Sequence, residues 1–359
     1  MTELNAQQVQ RKQELLSRKI EHVSLDDFDP TDLIEAFEKM SFSARSTARA
    51  ARIFEKMIAD PECTIILCLA GSLISAGLKK VILQMLEHHM VDAIVSTGAN
   101  IVDQDFFEAL GFRHHEGSPA MNDDELRQLG IDRIYDTLID EEELRVCDLT
   151  IRDLANSLAP RPWTSREFIA EMGRWIAENG DPSAESIVAA AHRLDVPIFC
   201  PAFSDCSAGF GLAMHQWQAV AKGDPTLTLD AARDFLELTL IKIKAKASGL
   251  LMVGGGTPKN FAQDIVVAAE MLETDKEVDM HRYAVQITVA DERDGALSGS
   301  TLQEACSWGK VDRQHEQMVF GEATVALPLI AGFAYRSDAT KARKGRRLAQ
   351  IFASHGVAT

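Results

Sequence analysis

Residues 304–311 read EACSWGKV and combine side chains that can do covalent chemistry. Lys310 follows Trp308 and Gly309 directly, and Glu304 lies six positions before the lysine. A lysine amine is nucleophilic only when neutral, and burial beside an apolar ring disfavours the ammonium form. Trp308 could form such a wall, while Glu304 could bind a substrate ammonium or carry protons. The segment indicates a nucleophilic amine, although taken alone it fits a surface lysine after a core tryptophan at least as well.

Charge and composition exclude several classes of function. The chain has 359 residues and a formal net charge of −17 at pH 7, which repels the phosphates of a nucleic acid. It starts with the polar run MTELNAQQVQRKQELL, and no run approaches the roughly 18 apolar residues that a membrane span needs. We expect a cytoplasmic protein without a nucleic-acid or membrane partner.

Cysteine and histidine spacing gives no sign of a metal. The six cysteines show no CxxC pair, and several lie in apolar runs such as TIILCLA and PIFCPA. That distribution is typical of buried thiols in a reducing compartment. The histidines of EHHM, MHQW and HRYA have no metal-ligand spacing. We therefore predict no metal site.

Short apolar runs alternate with longer helical patterns along most of the chain. Strand candidates cover residues 63–71, 91–100, 196–203, 249–256 and 283–290. Continuous apolar strands separated by helices predict an α/β fold, with a mostly parallel, Rossmann-like sheet flanked by helices. Ligands of such sheets bind beyond the carboxyl ends of the strands. Polar and glycine-rich segments follow these strand candidates, so we expect the functional site there.

Local signals mark helix starts and the outer limits of the domain. Thr164 and Glu167 form a capping-box pattern before the helical run REFIAEMGRWIAENG. Residues 1–45 are interpreted as an N-terminal helical extension and residues 46–359 as one domain. The basic run at 341–352 predicts a solvated C-terminal helix.

A glycine triplet at 254–256 could bring backbone close to a ligand and direct helix N–H groups at an anion. A tight strand-to-helix turn explains three glycines about as well, and the GxGxxG dinucleotide fingerprint is absent. The triplet alone therefore assigns no ligand.

Several blocks together resemble the deoxyhypusine synthase family: VPIFCPAFSDCSAG, LLMVGGGTPKNF, YAVQITVADERDGALSG and EACSWGKV. The resemblance runs from about residue 60 to residue 330 and includes HHMVDAIVSTGANIVDQD and PRPWTSREFIAEMG. It implies a Rossmann-like homotetramer with NAD and active sites at subunit interfaces. It also implies that NAD oxidises spermidine, that a lysine carries the aminobutyl group as an imine, and that an acceptor amine receives it.

The resemblance also implies roles for individual residues. Lys310 matches the covalent lysine, Trp308 and Glu304 match its substrate-binding neighbours, and Asp103 falls where the family has a catalytic glutamate. The positions that match the family's cofactor site are Gly71, Ser72, Leu73, Ile74, Ser75, Thr97, Gly98, Ala99, Asp205, Gly255, Val289, Ala290, Asp294, Glu322 and Ala323. Those that match its substrate site are Phe210, Asn260, Gly295, Ala296 and Leu297.

Three of these positions depart from the family pattern. Phe210 and Leu297 replace aspartates that hold a terminal ammonium of spermidine, and Asn260 replaces a histidine that takes part in catalysis. A desolvated ammonium without a counter-charge is unfavourable. Either the substrate has no ammonium at that end, or other carboxylates such as Asp291 or Glu292 have taken over.

These departures favour an NAD-dependent aminobutyl transferase with a small amine acceptor, similar to homospermidine synthases. A true deoxyhypusine synthase, which modifies a lysine of a translation factor, is the first alternative. A non-catalytic NAD- or polyamine-binding homologue is the second, and intact Lys310, Glu304 and Trp308 argue against it. A plain NAD-linked dehydrogenase would not explain the lysine.

Overall fold

A six-stranded parallel sheet forms the centre of the molecule. The computed structural model describes residues 4–275, 277–348 and 351–352. Strand order across the sheet is β11-β10-β9-β1-β2-β7, and every neighbouring pair is parallel. The strands of this sheet are β1 (Cys63–Leu69), β2 (Ala93–Ser96), β7 (Ile198–Phe199), β9 (Ala247–Val253), β10 (Tyr283–Thr288) and β11 (Glu316–Phe320). The α/β class predicted from the sequence is confirmed.

Burial on both faces explains why the strand segments are almost entirely apolar. Every residue of β1, β9 and β10 is buried, as expected for a parallel sheet covered by helices on both sides. The edge strand β11 is only partly buried and carries Glu316 and Gln317. It was not among the predicted strands because it lacks a continuous apolar run.

Fifteen helices are present in the described residues. They are α1 (Ala6–Leu15), α2 (Thr31–Glu38), α3 (Phe42–Ala59), α4 (Lys79–Glu87), α5 (Phe106–Ala109), α6 (Asp123–Leu129), α7 (Glu141–Ser157), α8 (Ser165–Asn179), α9 (Ile187–Leu194), α10 (Ser207–Lys222), α11 (Ala231–Lys244), α12 (Gly256–Leu272), α13 (Leu302–Ser307), α14 (Ala323–Arg336) and α15 (Asp338–Ala342). A π-helical segment, Ala99–Asp105, precedes α5, and a short 3-10 turn covers Arg313–His315. The capping box predicted at Thr164 and Glu167 is confirmed at the start of α8.

Two smaller sheets lie outside the central one. β3 (His115–Glu116), β5 (Thr137–Asp140) and β4 (Ile131–Ile134) form an antiparallel sheet, and β6 (Pro162–Trp163) pairs with β8 (Thr228–Leu229). The first helix contacts the antiparallel sheet through Lys12, whose Nζ lies 2.9 Å from Asp140 Oδ1. The N-terminal helix is thereby anchored to the body of the protein.

The predicted boundary between residues 45 and 46 falls inside α3. This helix buries Ala48, Ala51, Phe54 and Met57 in the main core. Residues 42–45 therefore belong to a helix of the main body, and the division into an extension and a domain stays a prediction.

The basic C-terminal segment differs from the predicted solvated helix. Helix α15 ends at Ala342, and the chain from 343 to 348 is non-helical; residues 349–350 lie outside the described residues. Arg343 donates to His89 O at 2.8 Å and Ile58 O at 3.0 Å, and its Nη2 lies 2.7 Å from Asp92 Oδ2. The prediction was wrong because periodicity does not reveal that this guanidinium is anchored to buried acceptors.

None of the helices among the described residues is long and apolar enough to cross a membrane. Within the same part of the chain, no group of three or more His, Cys, Asp or Glu is placed to hold a metal ion. All six cysteines are free thiols.

Candidate active site

The loops after the parallel strands lie along one edge of the sheet, which we call the carboxyl edge. The residues predicted to hold the cofactor occur in these loops or, for Ala99 and Ala323, at the first residue of the helical segment that follows. Gly71, Ser72, Leu73, Ile74 and Ser75 follow β1; Thr97, Gly98 and Ala99 follow β2; Asp205 follows β7; Gly255 follows β9; Val289, Ala290 and Asp294 follow β10; Glu322 and Ala323 follow β11. These residues are far apart in the sequence, but they lie at the same edge because all six strands run in the same direction.

Side chains of the π-helical segment hold the first of these loops in place. Leu73 N donates to Asn100 Oδ1 at 2.8 Å, and Ser75 N donates to Gln104 Oε1 at 2.9 Å. Asn100 also donates to Thr97 Oγ1 at 3.1 Å, so the loops after β1 and β2 share one set of hydrogen bonds. Because Asn100 and Gln104 are buried, the backbone of the first loop is fixed before a ligand arrives.

The start of α12 offers an anion site at the same edge. Gly255 is its N-cap residue, and no side chain caps the helix, so its first N–H groups are available to an anion. A Cβ at Gly255 would collide with Ser298, so this turn requires glycine. Gly71, at φ +83°, has no atom within 4 Å of the position of a Cβ. Open backbone at Gly71 and an uncapped 17-residue helix fit the diphosphate of a dinucleotide.

A cavity, which we call the lysine pocket, lies on the side of α12. Its volume is about 530 Å³. It is lined by Phe235 of α11, by one face of α12 and by the segment 297–310; the residues of the last two are Asn260, Gln263, Asp264, Val267, Ala268, Met271, Leu297, Ser300, Glu304, Ala305, Trp308 and Lys310. The pocket combines carboxylates with apolar walls, which suits a flexible chain that carries amino groups.

Lys310 is held at the end of the short helix α13. Gly309 adopts φ +69°, a left-handed conformation that glycine favours, and Lys310 N then donates to Ala305 O at 3.0 Å. Lys310 O accepts from His281 N at 2.9 Å, which ties the residue to the segment before β10. Both backbone polar groups of Lys310, its N–H and its carbonyl, are therefore held by hydrogen bonds.

The amine of Lys310 faces the pocket and contacts a carboxylate. Its Nζ lies 2.5 Å from Asp264 Oδ1 and 5.4 Å from the centroid of the Trp308 ring. The Lys310 side chain is 13 % exposed, whereas Trp308 is 65 % exposed. Trp308 thus lies at the rim of the pocket and leaves much of its ring uncovered.

Glu304 and Lys259 complete the polar part of the site. Glu304 lies in the first turn of α13, where its N–H donates to the capping Thr301 Oγ1 at 3.0 Å. Burial lowers the pKa of Lys259 to about 8, and the neighbouring Glu304 opposes that shift. Lys259 Nζ donates to Leu297 O at 3.2 Å, to Ser300 Oγ at 2.9 Å and to Ser300 O. This buried amine fixes the loop that carries Leu297.

Asp103 and Phe210 do not line the lysine pocket of the single chain. Asp103 caps α10: its carboxylate accepts from Ser207 N at 3.0 Å and Ala208 N at 2.7 Å. Burial raises its pKa to about 6. Phe210 lies one turn further along α10 and is 62 % exposed. The structure therefore brings Lys310, Glu304, Trp308, Asn260 and Leu297 together, but not Asp103 or Phe210.

The loop after β10 carries Asp291 and Glu292, the alternative carboxylates considered for a substrate ammonium, and neither lines the lysine pocket. Asp291 is exposed and accepts from Arg293 at 2.9 and 2.7 Å, and these hydrogen bonds lower its pKa to about 2. Gly295 and Ala296 of the same loop do not line the pocket either.

A second carboxylate that lines the pocket beside Glu304, Asp264, was not among the predicted residues. Asn260 Nδ2 donates to Asp264 Oδ2 at 2.7 Å. The available signal was the four-residue spacing between Asn260 and Asp264, which places both on one face of a helix.

Comparison with known proteins agrees with this geometry. The family model for deoxyhypusine synthase matches residues 32–334. A deoxyhypusine synthase-like protein of Chlorobaculum tepidum is 60 % identical over 336 residues, which cover 94 % of this chain and 95 % of the relative. One from Coxiella burnetii is 57 % identical over 343 residues, which cover 96 % of both chains. In Methanosarcina mazei, a protein named probable deoxyhypusine synthase 2 is 37 % identical over 93 % of both chains.

Among solved structures, a candidate deoxyhypusine synthase from Entamoeba histolytica covers 92 % of this chain and 99 % of its own length, with a TM-score of 0.56 and 18 % identity. That likeness shows a shared fold. The family match spans the sheet, the carboxyl edge and the lysine pocket alike, and the chain therefore belongs to the deoxyhypusine synthase family.

Proposed function

We propose that this protein is an NAD-dependent aminobutyl transferase that acts on polyamines through an imine of Lys310 and passes the group to a small amine. The observation that carries the proposal is the position of the Lys310 amine in a cavity of about 530 Å³ that also contains Asp264 and Glu304. A shielded lysine in contact with one carboxylate, in a pocket that holds a second, has the components that such a transfer requires.

The carboxyl edge would hold the cofactor, with Gly71 and the start of α12 against its diphosphate. NAD, when bound, accepts hydride from the carbon beside an amine nitrogen and later returns it, so the net reaction is redox-neutral. Lys310 Nζ bonds to that carbon and displaces the departing amine, and the four-carbon aminobutyl group stays on the lysine as an imine. The acceptor amine then bonds to the same carbon and releases Lys310.

The walls of the lysine pocket fit a polyamine. Met271, Val267 and Leu297 offer apolar contacts for methylene groups, while Glu304 offers a charge for an ammonium. The Trp308 ring, which faces the Lys310 amine at 5.4 Å, can also contact a cationic chain. The pocket therefore offers apolar contacts to the methylene groups of an extended ligand and a carboxylate to its amino group.

A small acceptor is favoured because Phe210 and Leu297 present apolar surface where the family holds a terminal ammonium. The second candidate is deoxyhypusine synthesis, which transfers the group to a lysine of a translation factor; the Methanosarcina mazei relative is named probable deoxyhypusine synthase 2. An aminobutyl assay on that factor separates the two, because only the second function labels a protein.

A homotetramer is part of the same proposal. Phe210, Trp217 and Val220 form an apolar stripe on α10, and these residues are 62, 78 and 71 % exposed. Apolar side chains at such spacing on one helix commonly mark an interface between subunits. A second copy placed on this stripe would bring Phe210 to a subunit boundary.

Trapping the enzyme imine tests the function. The protein is incubated with NAD and one amine, which is spermidine, putrescine or agmatine in separate samples. Each sample is then reduced with borohydride and digested for mass spectrometry. We expect an aminobutyl adduct on the peptide that contains Lys310 with at least one amine. Lys310→Arg should abolish it, whereas Lys246→Arg, at an exposed ion pair with Glu62, should leave it unchanged. An unmodified Lys310 across all three amines would refute the proposal.

A further inference from the structure

Asp264 has two partners, one for each carboxylate oxygen. Oδ1 lies 2.5 Å from Lys310 Nζ, and Oδ2 accepts from Asn260 Nδ2 at 2.7 Å. Asn260 and Asp264 are one turn apart on α12, so the amide fixes the carboxylate in the orientation that faces Lys310. Asn260, which matches a substrate position of the family, thus orients the carboxylate that contacts Lys310.

The contact is neither an exposed surface pair nor a fully buried one. The side chain of Lys310 is 13 % exposed and that of Asp264 is 32 % exposed, and both line the lysine pocket. A ligand in the pocket can therefore reach both groups. Exposed ion pairs contribute little to stability, and desolvation offsets the attraction in buried ones, so stability alone gives a weak reason for this arrangement.

The ion pair also poses a chemical problem for a nucleophile. An amine forms a bond to carbon through its lone pair, and an ammonium has none. Lys310 must therefore transfer a proton before it can react, and Asp264 is the carboxylate in contact with it. Glu304 shares the pocket but has no ion pair with Lys310, and Lys259 is occupied by Leu297 and Ser300.

We propose that Asp264 is the proton relay of Lys310. The inference rests on the proposed aminobutyl transfer and assigns its proton steps to a residue of this chain. In the empty pocket, Asp264 holds the lysine as its counter-ion. When the transfer begins, one N–H bond of Lys310 breaks, an O–H bond forms on Asp264, and the electron pair stays on the nitrogen.

The same proton serves the departing amine. Lys310 Nζ adds to the carbon of the oxidised substrate, whose C=N electron pair moves to the substrate nitrogen. Addition leaves a proton on Lys310 Nζ that is shed to solvent, while the proton on Asp264 passes to the substrate nitrogen. The carbon–nitrogen bond then breaks with its electrons on the leaving amine, and the lone pair of Lys310 forms the imine. Asp264 ends as a carboxylate beside a cationic imine, so charge and protons balance.

A single-turnover time course tests the relay. The protein, NAD and a saturating concentration of whichever of the three amines gives the adduct are mixed, aliquots are reduced with borohydride, and the Lys310 adduct is quantified for the wild type, Asp264→Asn and Asp264→Glu. Removal of a general acid–base group costs about 10²–10⁴-fold in rate, so we expect Asp264→Asn to form the adduct at least about 10²-fold more slowly. Asp264→Glu should recover part of the rate because it restores a carboxylate.

The matched control is Asp338→Asn, which removes an exposed aspartate paired with Lys341 at 2.9 Å. It should react at the wild-type rate. Thermal melting and NAD affinity, measured on each variant, should match the wild type; a loss of NAD affinity that accounts for the slower rate would overturn the relay in favour of a structural role.

The outcomes separate this inference from the function beneath it. If the wild type forms no adduct with any of the three amines, the transfer itself fails and the relay fails with it. If the wild type reacts and Asp264→Asn keeps pace with it, the transfer stands and the relay is refuted. A defect that disappears when the amine concentration is raised also refutes the relay, since Asp264 would then only bind the substrate.

Discussion

Two lysines at the same site, Lys259 and Lys310, have opposite surroundings. Lys259 is 1 % exposed and donates only to oxygens of Leu297 and Ser300, which belong to one loop. Lys310 contacts a single carboxylate and faces an open cavity. An amine whose donors are all used by neutral backbone and hydroxyl groups fixes a loop. An amine with one exchangeable partner and room beside it can react.

The largest expected effect is the loss of the reaction on removal of one lysine but not of the other. Lys310→Met should eliminate the borohydride-trapped adduct, because methionine has no nucleophilic nitrogen. Its free energy of unfolding should change by about 1 kcal/mol or less, since only a partly exposed ion pair is lost. Intact-mass spectrometry and urea denaturation measure the two quantities.

Lys259→Met should show the reverse pattern. It leaves the oxygens of Leu297 and Ser300 without a buried donor, so the free energy of unfolding should fall by about 1–3 kcal/mol. The adduct on Lys310 should still form at saturating amine. Stability equal to that of the wild type would contradict the loop-fixing role of this lysine.

A smaller effect is expected from pH. Burial lowers the pKa of folded Lys259 to about 8 from the ordinary 10.5. Between these values the unfolded chain binds more protons at this residue than the folded chain, so its contribution to stability rises with pH. The wild type should gain stability relative to Lys259→Met as pH increases from about 7 to about 9.5. Parallel urea titrations would detect it; a difference that shrinks with rising pH would contradict the lowered pKa.

The smallest effect is expected at the rim of the pocket. Trp308→Leu removes a ring that is 65 % exposed and lies 5.4 Å from Lys310 Nζ. Exposed cation–π contacts contribute about 0.5–1 kcal/mol, so the amine concentration for half-maximal adduct formation should rise about two- to fivefold. Loss of all adduct would instead give Trp308 a role in the chemistry.

Local signals in the sequence were sufficient for much of the fold. The buried runs of β1, β9 and β10 predict strands because both faces of the sheet are covered, and the capping box of α8 depends on residues three apart. Strand β11 was missed because an edge strand tolerates Glu316 and Gln317. The C-terminal segment was mistaken for a helix because the contacts of Arg343 are made with distant parts of the chain.

Some residues of the candidate site could likewise be predicted from the sequence, and others could not. Lys310 and the carboxyl-edge positions could be named from motif resemblance, and strand direction explains why they converge. The contact of Asp264 with Lys310 could not, because it joins two segments that are far apart in the sequence. Lys259 was overlooked for a related reason: a lysine in a sequence gives no sign that its amine is buried under a loop 38–41 residues away.

Helix α12 begins at the carboxyl edge and carries Asn260 and Asp264 along its side. From Gly256 to Asp264 the helix rises by about 12 Å. One rigid rod therefore spans the distance between the dinucleotide-compatible turn and the counter-ion of Lys310. Because both lie on one helix, the distance between the turn at Gly255 and Asp264 is set by secondary structure and does not depend on a loop.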